Sequence, residues 1–222
     1  MSRDEKFVVS LQDKFVGLSE RVNKFETWEP DYPLGGRFQW DDLRISITAT
    51  KLAGAKDPGF TVFKTNGAGS QGVFLYWFDA AAEEELYFTV QLPHAYMEGT
   101  DLHPHVHFVP SVNGAAGQVV SWGLEYTWAN LGDVFGNTNI IYANAHTPTD
   151  SVLTAGKHYL TEFAPIVGSG KTISSMLACR VFRNATGAGG STDSYGNDAG
   201  MLEIDFHMQK DSIGSYDEYT KA

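Results

Sequence analysis

Three of the seven histidines in this 222-residue chain fall within five positions, in the segment Gly99-Thr100-Asp101-Leu102-His103-Pro104-His105-Val106-His107. Alternate residues of a strand face the same side, about 6 to 7 Å apart. An extended backbone here projects His103, His105 and His107 together, and neutral imidazoles so spaced can supply two ligands to one zinc, iron, nickel or copper ion. His146, His158 and His207 are further ligand candidates, with no spacing that selects among them. The competing expectation is structural, with histidines packed against neighbouring aromatics or lining a symmetry interface.

Other chemistries are poorly represented. Gly168-Ser169-Gly170-Lys171-Thr172 has the ending of a phosphate-binding loop, but the glycine required five positions before Gly170 is Pro165. The acidic run Glu83-Glu84-Glu85 reads as a solvated turn, and no second acid pairs with it or with Asp205, Asp211, Asp217 and Glu218 to suggest glycoside hydrolysis. There is no Gly-x-Ser-x-Gly nucleophile elbow. The single cysteine, Cys179, lies in the apolar alternation Met176 to Phe182, where a structural thiol is expected. The chain is therefore read as a non-enzyme. Trp122, Tyr126 and Trp128 share one parity, so on a strand they form either a stacking platform for a carbohydrate or part of the core.

The elements that must position these residues are strands. Arg44 to Thr48 alternates as a half-buried strand does, and Val73 to Phe78 is an apolar run too short for a core helix. Leu86–Leu92, His105–Val109, Val119–Trp128, Thr138–Ala143, His158–Phe163, Ile173–Phe182 and Met201–Gln209 follow, separated by Gly- and Asn-rich loops. The longest loop, residues 184–200, reads as a solvated hairpin connection or as a tip that touches a partner. Evenly spaced strands without alternating helices predict an all-β fold, an antiparallel β-sandwich of jelly-roll type, over residues 37–222. Residues 1–36 stand apart. Val8, Leu11, Phe15, Leu18, Val22 and Phe25 follow a 3-4-3-4-3 spacing, a short heptad seam with Lys14 and Arg21 beside it. Such a seam needs a partner, either the chain's own sheet or further copies, and an extended arm is the remaining alternative. Aromatic residues at seam positions favour three strands over two, giving a homotrimer as the expected assembly.

Composition bounds the partners. With 16 Lys+Arg against 27 Asp+Glu the formal net charge is -11, and no basic block is present, so charge attraction to nucleic acid or anionic lipid is excluded. One cysteine permits no internal disulfide. No stretch is long and apolar enough to span a bilayer, and the opening MSRDEKFVVS lacks the features of a signal peptide, so a soluble cytosolic protein is expected. Charged residues are only 19% and aromatics 13%, as suits sheet.

Two resemblances add to this. Gly99-x5-His105-x-His107 resembles the opening of the first cupin motif, which would imply a metal at His105 and His107. The metal-binding Glu of that motif is replaced by Ser111 or Val112, and no second motif is present. Much more of the chain, about residues 40–219, is similar to an uncharacterised family of bacteriophage proteins encoded among virion structural genes. The phrases that carry it are GSQGVFLYWFD (69–79), EEELYFTVQLPH (83–94), EGTDLHPHVHFVP (98–110), VVSWGLEYTWANLGDVF (119–135), SSMLACRVFRNATG (174–187) and LEIDFHMQKDSIGSYDEY (202–219). This resemblance implies a virion structural protein without catalytic residues or cofactor. Its expected role is capsid decoration or a head fibre, anchored by the N-terminal segment to the major capsid protein or another virion component. A tail or baseplate appendage that binds a receptor or host surface glycan is the alternative.

Overall fold

The structure is a computed structural model that describes residues 39–143 and 152–221. The heptad positions Val8 to Phe25, with the helix or arm expected there, and His146 lie outside the described residues. Among the described residues ten strands occur in chain order: β1 Gln39–Ser46, β2 Gly59–Lys64, β3 Val73–Phe78, β4 Glu85–Gln91, β5 His103–Pro110, β6 Trp122–Ala129, β7 Asn139–Tyr142, β8 Tyr159–Glu162, β9 Met176–Arg183 and β10 Ala199–Lys210. All pairings are antiparallel. One sheet has the order β2-β3-β10-β5-β8, with β1 also paired to β10, and the other β4-β9-β6-β7. From β3 onward successive strands alternate between the sheets except at the β6–β7 hairpin, the connectivity of a jelly-roll type sandwich. Among the described residues the only helical elements are 3-10 turns at Ile47–Ala49 and Ala188–Gly190.

Period-two alternation assigns the faces. In β5, Val106 and Phe108 point inward, and in β10 Ile204, Phe206 and Met208 do, all at most 3% exposed. Leu86, Phe88 and Val90 from β4, Leu124 from β6 and Leu177 and Val181 from β9 close the core from the other sheet. Each such side chain contributes roughly 1.5–3 kcal/mol by leaving water. The intervening residues of β5 and β10, namely His103, His105, His107, Glu203, Asp205 and His207, therefore share the outer face of the six-stranded sheet.

β10 has two partners in succession along one edge. Its first residues, Ala199–Met201, pair with β3, and Glu203–Lys210 pair with β1, while β5 runs along the opposite edge with a bulge between Met201 and Glu203. β2, whose GFTVFK sequence was not anticipated as a strand, completes the β3 side.

One glycine is dictated by packing. A Cβ at Gly123 would lie 2.1 Å from Phe182 Cζ, because the Phe182 ring lies across the Gly123 backbone on the neighbouring strand. The loop after β9 joins the two sheets rather than forming a hairpin, and although most of its residues are exposed it is pinned at buried points. Arg183, Asn184 and Tyr195 are each at most 1% exposed, and the Asn184 side chain bonds back to Ala188 and Ser121. The Tyr195 hydroxyl accepts from Val112 N–H and donates to Val112 O.

Candidate functional site

The strand register places side chains that are far apart in sequence beside one another. His105 is opposite Asp205, His103 opposite His207, and His107 opposite Glu203. On the other side of β10, Asp42 and Arg44 of β1 face His207 and Asp205. The result is a patch of imidazoles and carboxylates on the outside of the sheet, yet His105 is only 2% and Asp205 only 3% exposed. Its centre is dry because the surrounding rings cover it. The His105 ring lies 4.2 Å from that of His207 and 4.9 Å from that of His107.

Within the patch, His105 Nε2 contacts Asp205 Oδ1, and His107 Nε2 is 3.5 Å from Asp205 Oδ2. The first joins two buried groups, with the imidazole as donor and the carboxylate as acceptor. Burial pushes the Asp205 carboxyl up, but the His105 and His107 imidazoles outweigh it and hold the group down to about 2. Burial likewise lowers His105, and the Asp205 carboxylate more than offsets that, leaving it raised. His107 Nδ1 lies 2.7 Å from His158 Nε2. His158 is lowered, by burial first and then by the His107 charge. At the rim, His207 Nε2 lies 3.1 Å from Asp42 Oδ1, and Arg44 makes two hydrogen bonds to Glu203 at 2.9 and 2.7 Å.

Two shallow clefts of about 390 Å³ flank this row. One is lined by Trp40, His103, His105, Glu162, Phe163 and His207, the other by Asp42, Arg44, His107, His158, Glu203 and Asp205.

All three histidines singled out from spacing share the outer face, but only His105 and His107 converge on Asp205. His103 meets the edge of Trp40, with ring centroids 5.0 Å apart. Asp205 takes the third place, so that His105, His107 and Asp205 each offer a ligand atom within 4.8 Å of the others. The signal for Asp205 was its parity with Glu203 and His207 in LEIDFHMQK, but the pairing of β5 with β10 is not readable from either strand alone.

The stacking platform expected at Trp122, Tyr126 and Trp128 is corrected by the structure. Trp122 is 0% and Trp128 9% exposed, and Tyr126 packs against the same core. The parity was right, but the face they share points between the sheets. Glu85 of the acidic run is not a solvated turn residue either: it opens β4 and, with Glu83 and Glu125, surrounds the Arg180 guanidinium. Cys179 is a buried core residue as expected, and burial pushes its thiol up to about 12, too high for a nucleophile.

No protein-family model matches the chain, and no curated protein does. Solved structures give distant likenesses. The CBM22-2 xylan-binding domain of Paenibacillus barcinonensis Xyn10C is 10% identical over 76% of this chain and 98% of that domain, with a TM-score of 0.40. A Bacillus thuringiensis Cry1Da tryptic core variant is 14% identical with a TM-score of 0.37; the match covers 78% of this chain but only 23% of that one, so this chain spans under a quarter of its length. TmCBM61, solved in complex with beta-1,4-galactotriose, is 13% identical over 77% of this chain and 88% of that one, at a TM-score of 0.30. Likenesses this low carry nothing about ligand or partner, and the fold rests on the strand pairings above.

Proposed function

We propose that this chain is a structural component of a bacteriophage virion, a capsid decoration or head-fibre protein that acts without catalysis. In this reading residues 1–36 trimerise it and attach it to the major capsid protein or another virion component, and the β domain faces solvent. What supports the reading is where the phage-like phrases fall. They coincide with β3, β4, β5, β6, β9 and β10, the strands that build both sheets, so the resemblance lies in a scaffold rather than in a catalytic pocket. The net charge of -11 suits a component kept soluble on an outer surface.

The seam is the point to test. Leu18→Asp places a charge in the heptad, and the expected result is a trimer by sedimentation for the parent chain and a folded monomer for the variant. The parent trimer should persist in 1 M salt, where charge attraction is screened within about 3 Å. A variant that still assembles would remove the heptad reading, and cryo-EM of the particle with the chain absent from the head would remove the placement.

A second reading, a tail or baseplate appendage that binds a host glycan, is favoured by one specific observation. Trp40 is 53% exposed at the mouth of a cleft that also holds Glu162, His103 and His207, an aromatic face beside hydrogen-bonding groups. The expected outcome is glycan-array binding that Trp40→Ala abolishes with the fold intact. Unchanged binding in that variant, or no binding by the parent, counts against this reading.

A further inference from the structure

We infer that His105, His107 and Asp205 form a binding site for one divalent first-row transition metal ion, on the outer face of the six-stranded sheet. The three residues come from two adjacent strands in direct register, and their ligand atoms already lie within 4.8 Å of one another. Tetrahedral coordination at about 2.1 Å places ligand atoms about 3.4 Å apart, so adjustments of roughly an ångström complete the geometry. Two imidazoles and a carboxylate are the donor set of zinc and non-haem iron sites that keep a coordination position open.

Each ring is oriented through its other nitrogen. His107 Nδ1 faces His158 Nε2 at 2.7 Å, and His105 Nδ1 faces the His103 carbonyl at 3.5 Å. A carbonyl oxygen only accepts, so the His105 contact places a proton on Nδ1 and turns Nε2 toward Asp205, where the proton of the ion pair is what a metal ion would displace. His107, paired to His158 through Nδ1, likewise turns its Nε2 toward Asp205. Both Nε2 atoms then converge on one carboxylate, an arrangement in which a metal ion can take the place of the shared protons. Such bonding of the distal ring nitrogen is the usual outer support of metal-bound histidine. The independent observation is that Asp205, on a side chain 5% exposed, is approached at Oδ1 by His105 Nε2 and at Oδ2 by His107 Nε2, so three donor groups already meet at one buried point. The open position faces the cleft beside Asp42 and Glu203, where water or a partner's donor completes the shell.

The site does not depend on the virion reading, and its test is separate. The full chain, made without a histidine tag and stripped with chelator, is titrated with Zn²⁺ against a chromophoric competitor. One equivalent per chain is expected. Asp205→Asn and His107→Ala should each weaken it at least 100-fold, and His158→Ala about 10- to 100-fold through the lost support. His94→Ala, whose ring bonds Ser215 and Ser174 instead, should leave it unchanged. Zn²⁺ should also raise the Tm of the parent and not that of His107→Ala, which alters a half-buried side chain and therefore keeps the fold if Asp205→Asn does not. Less than a tenth of an equivalent in the parent, or affinity within threefold of the parent in both His107→Ala and His158→Ala, overturns the site.

Discussion

Replacing Arg183 with alanine should cost the β domain about 3–5 kcal/mol, the range for removing one partner of a buried ion pair. The side chain is fully buried at the end of β9, and all five of its N–H groups are used. Nε and one Nη2 hydrogen form the bidentate pair with Asp193 at 2.9 Å each; the remaining three donate to the carbonyls of Phe78, Asn197 and Tyr195. Alanine strands a carboxylate that is itself only 3% exposed, together with three carbonyls and a cavity. A lysine cannot replace the fork, because a point charge reaches one or two of these acceptors at most. A domain's whole stability is about 5–15 kcal/mol, so the variant should show a large fall in its urea midpoint. The double variant Arg183→Ala with Asp193→Ala should lose less than the sum of the two singles, since each leaves the other's partner unpaired. Additive losses would mean that the pair does not pin the loop to the sandwich.

The second large effect is expected at Trp122. Its indole is fully buried between the sheets, edge-on to Phe78 at 5.0 Å and near Phe108 at 6.1 Å. Truncation of a core Trp to Ala costs about 3–5 kcal/mol through lost transfer energy and the cavity left behind. Trp122→Phe should cost much less, because the indole Nε1 has no hydrogen-bond partner among the described residues and its removal relieves a buried unsatisfied donor. Exposed Trp40 is the contrast: Trp40→Ala should change stability by no more than about 0.5 kcal/mol. Thermal or urea unfolding of the three variants separates a core role from a ligand role for the Trp122 face. A stable, fully folded Trp122→Ala protein would return that residue to the list of ligand contacts.

The contrast between Trp122 and His105 explains what the sequence could and could not reveal. Parity within a strand is local, so the shared faces of His103, His105 and His107 and of Trp122, Tyr126 and Trp128 were both legible. Which face meets the core depends on how two sheets stack, and the aromatic row went inward while the imidazole row stayed outside. Asp205 joins the histidines through a register across about a hundred residues, and nothing within LEIDFHMQK announces it. The strands themselves were largely legible from alternation, β3 with its bounds unchanged. β2 was not, because Gly59 opens it, Lys64 ends it, and Phe60, Val62 and Phe63 place apolar groups on both faces. The loop after β9 has the composition of a solvated connection; only the destinations of Arg183, Asn184 and Tyr195 make it part of the packed domain.

The pairing of β1 with the second half of β10 has a mechanical consequence. Gln39 lies opposite Lys210, so the chain enters the sheet and leaves β10 at adjacent points on one end of the sandwich. Tension applied across those two points loads the β1–β10 bonds one pair at a time, as in opening a zip, rather than in parallel as in shear. β1 should therefore peel at low force, while β10 keeps β5 on its far edge and β3 at its start. A domain held by that end can yield one strand under load and re-zip when the load is released, with the rest of the sandwich still closed.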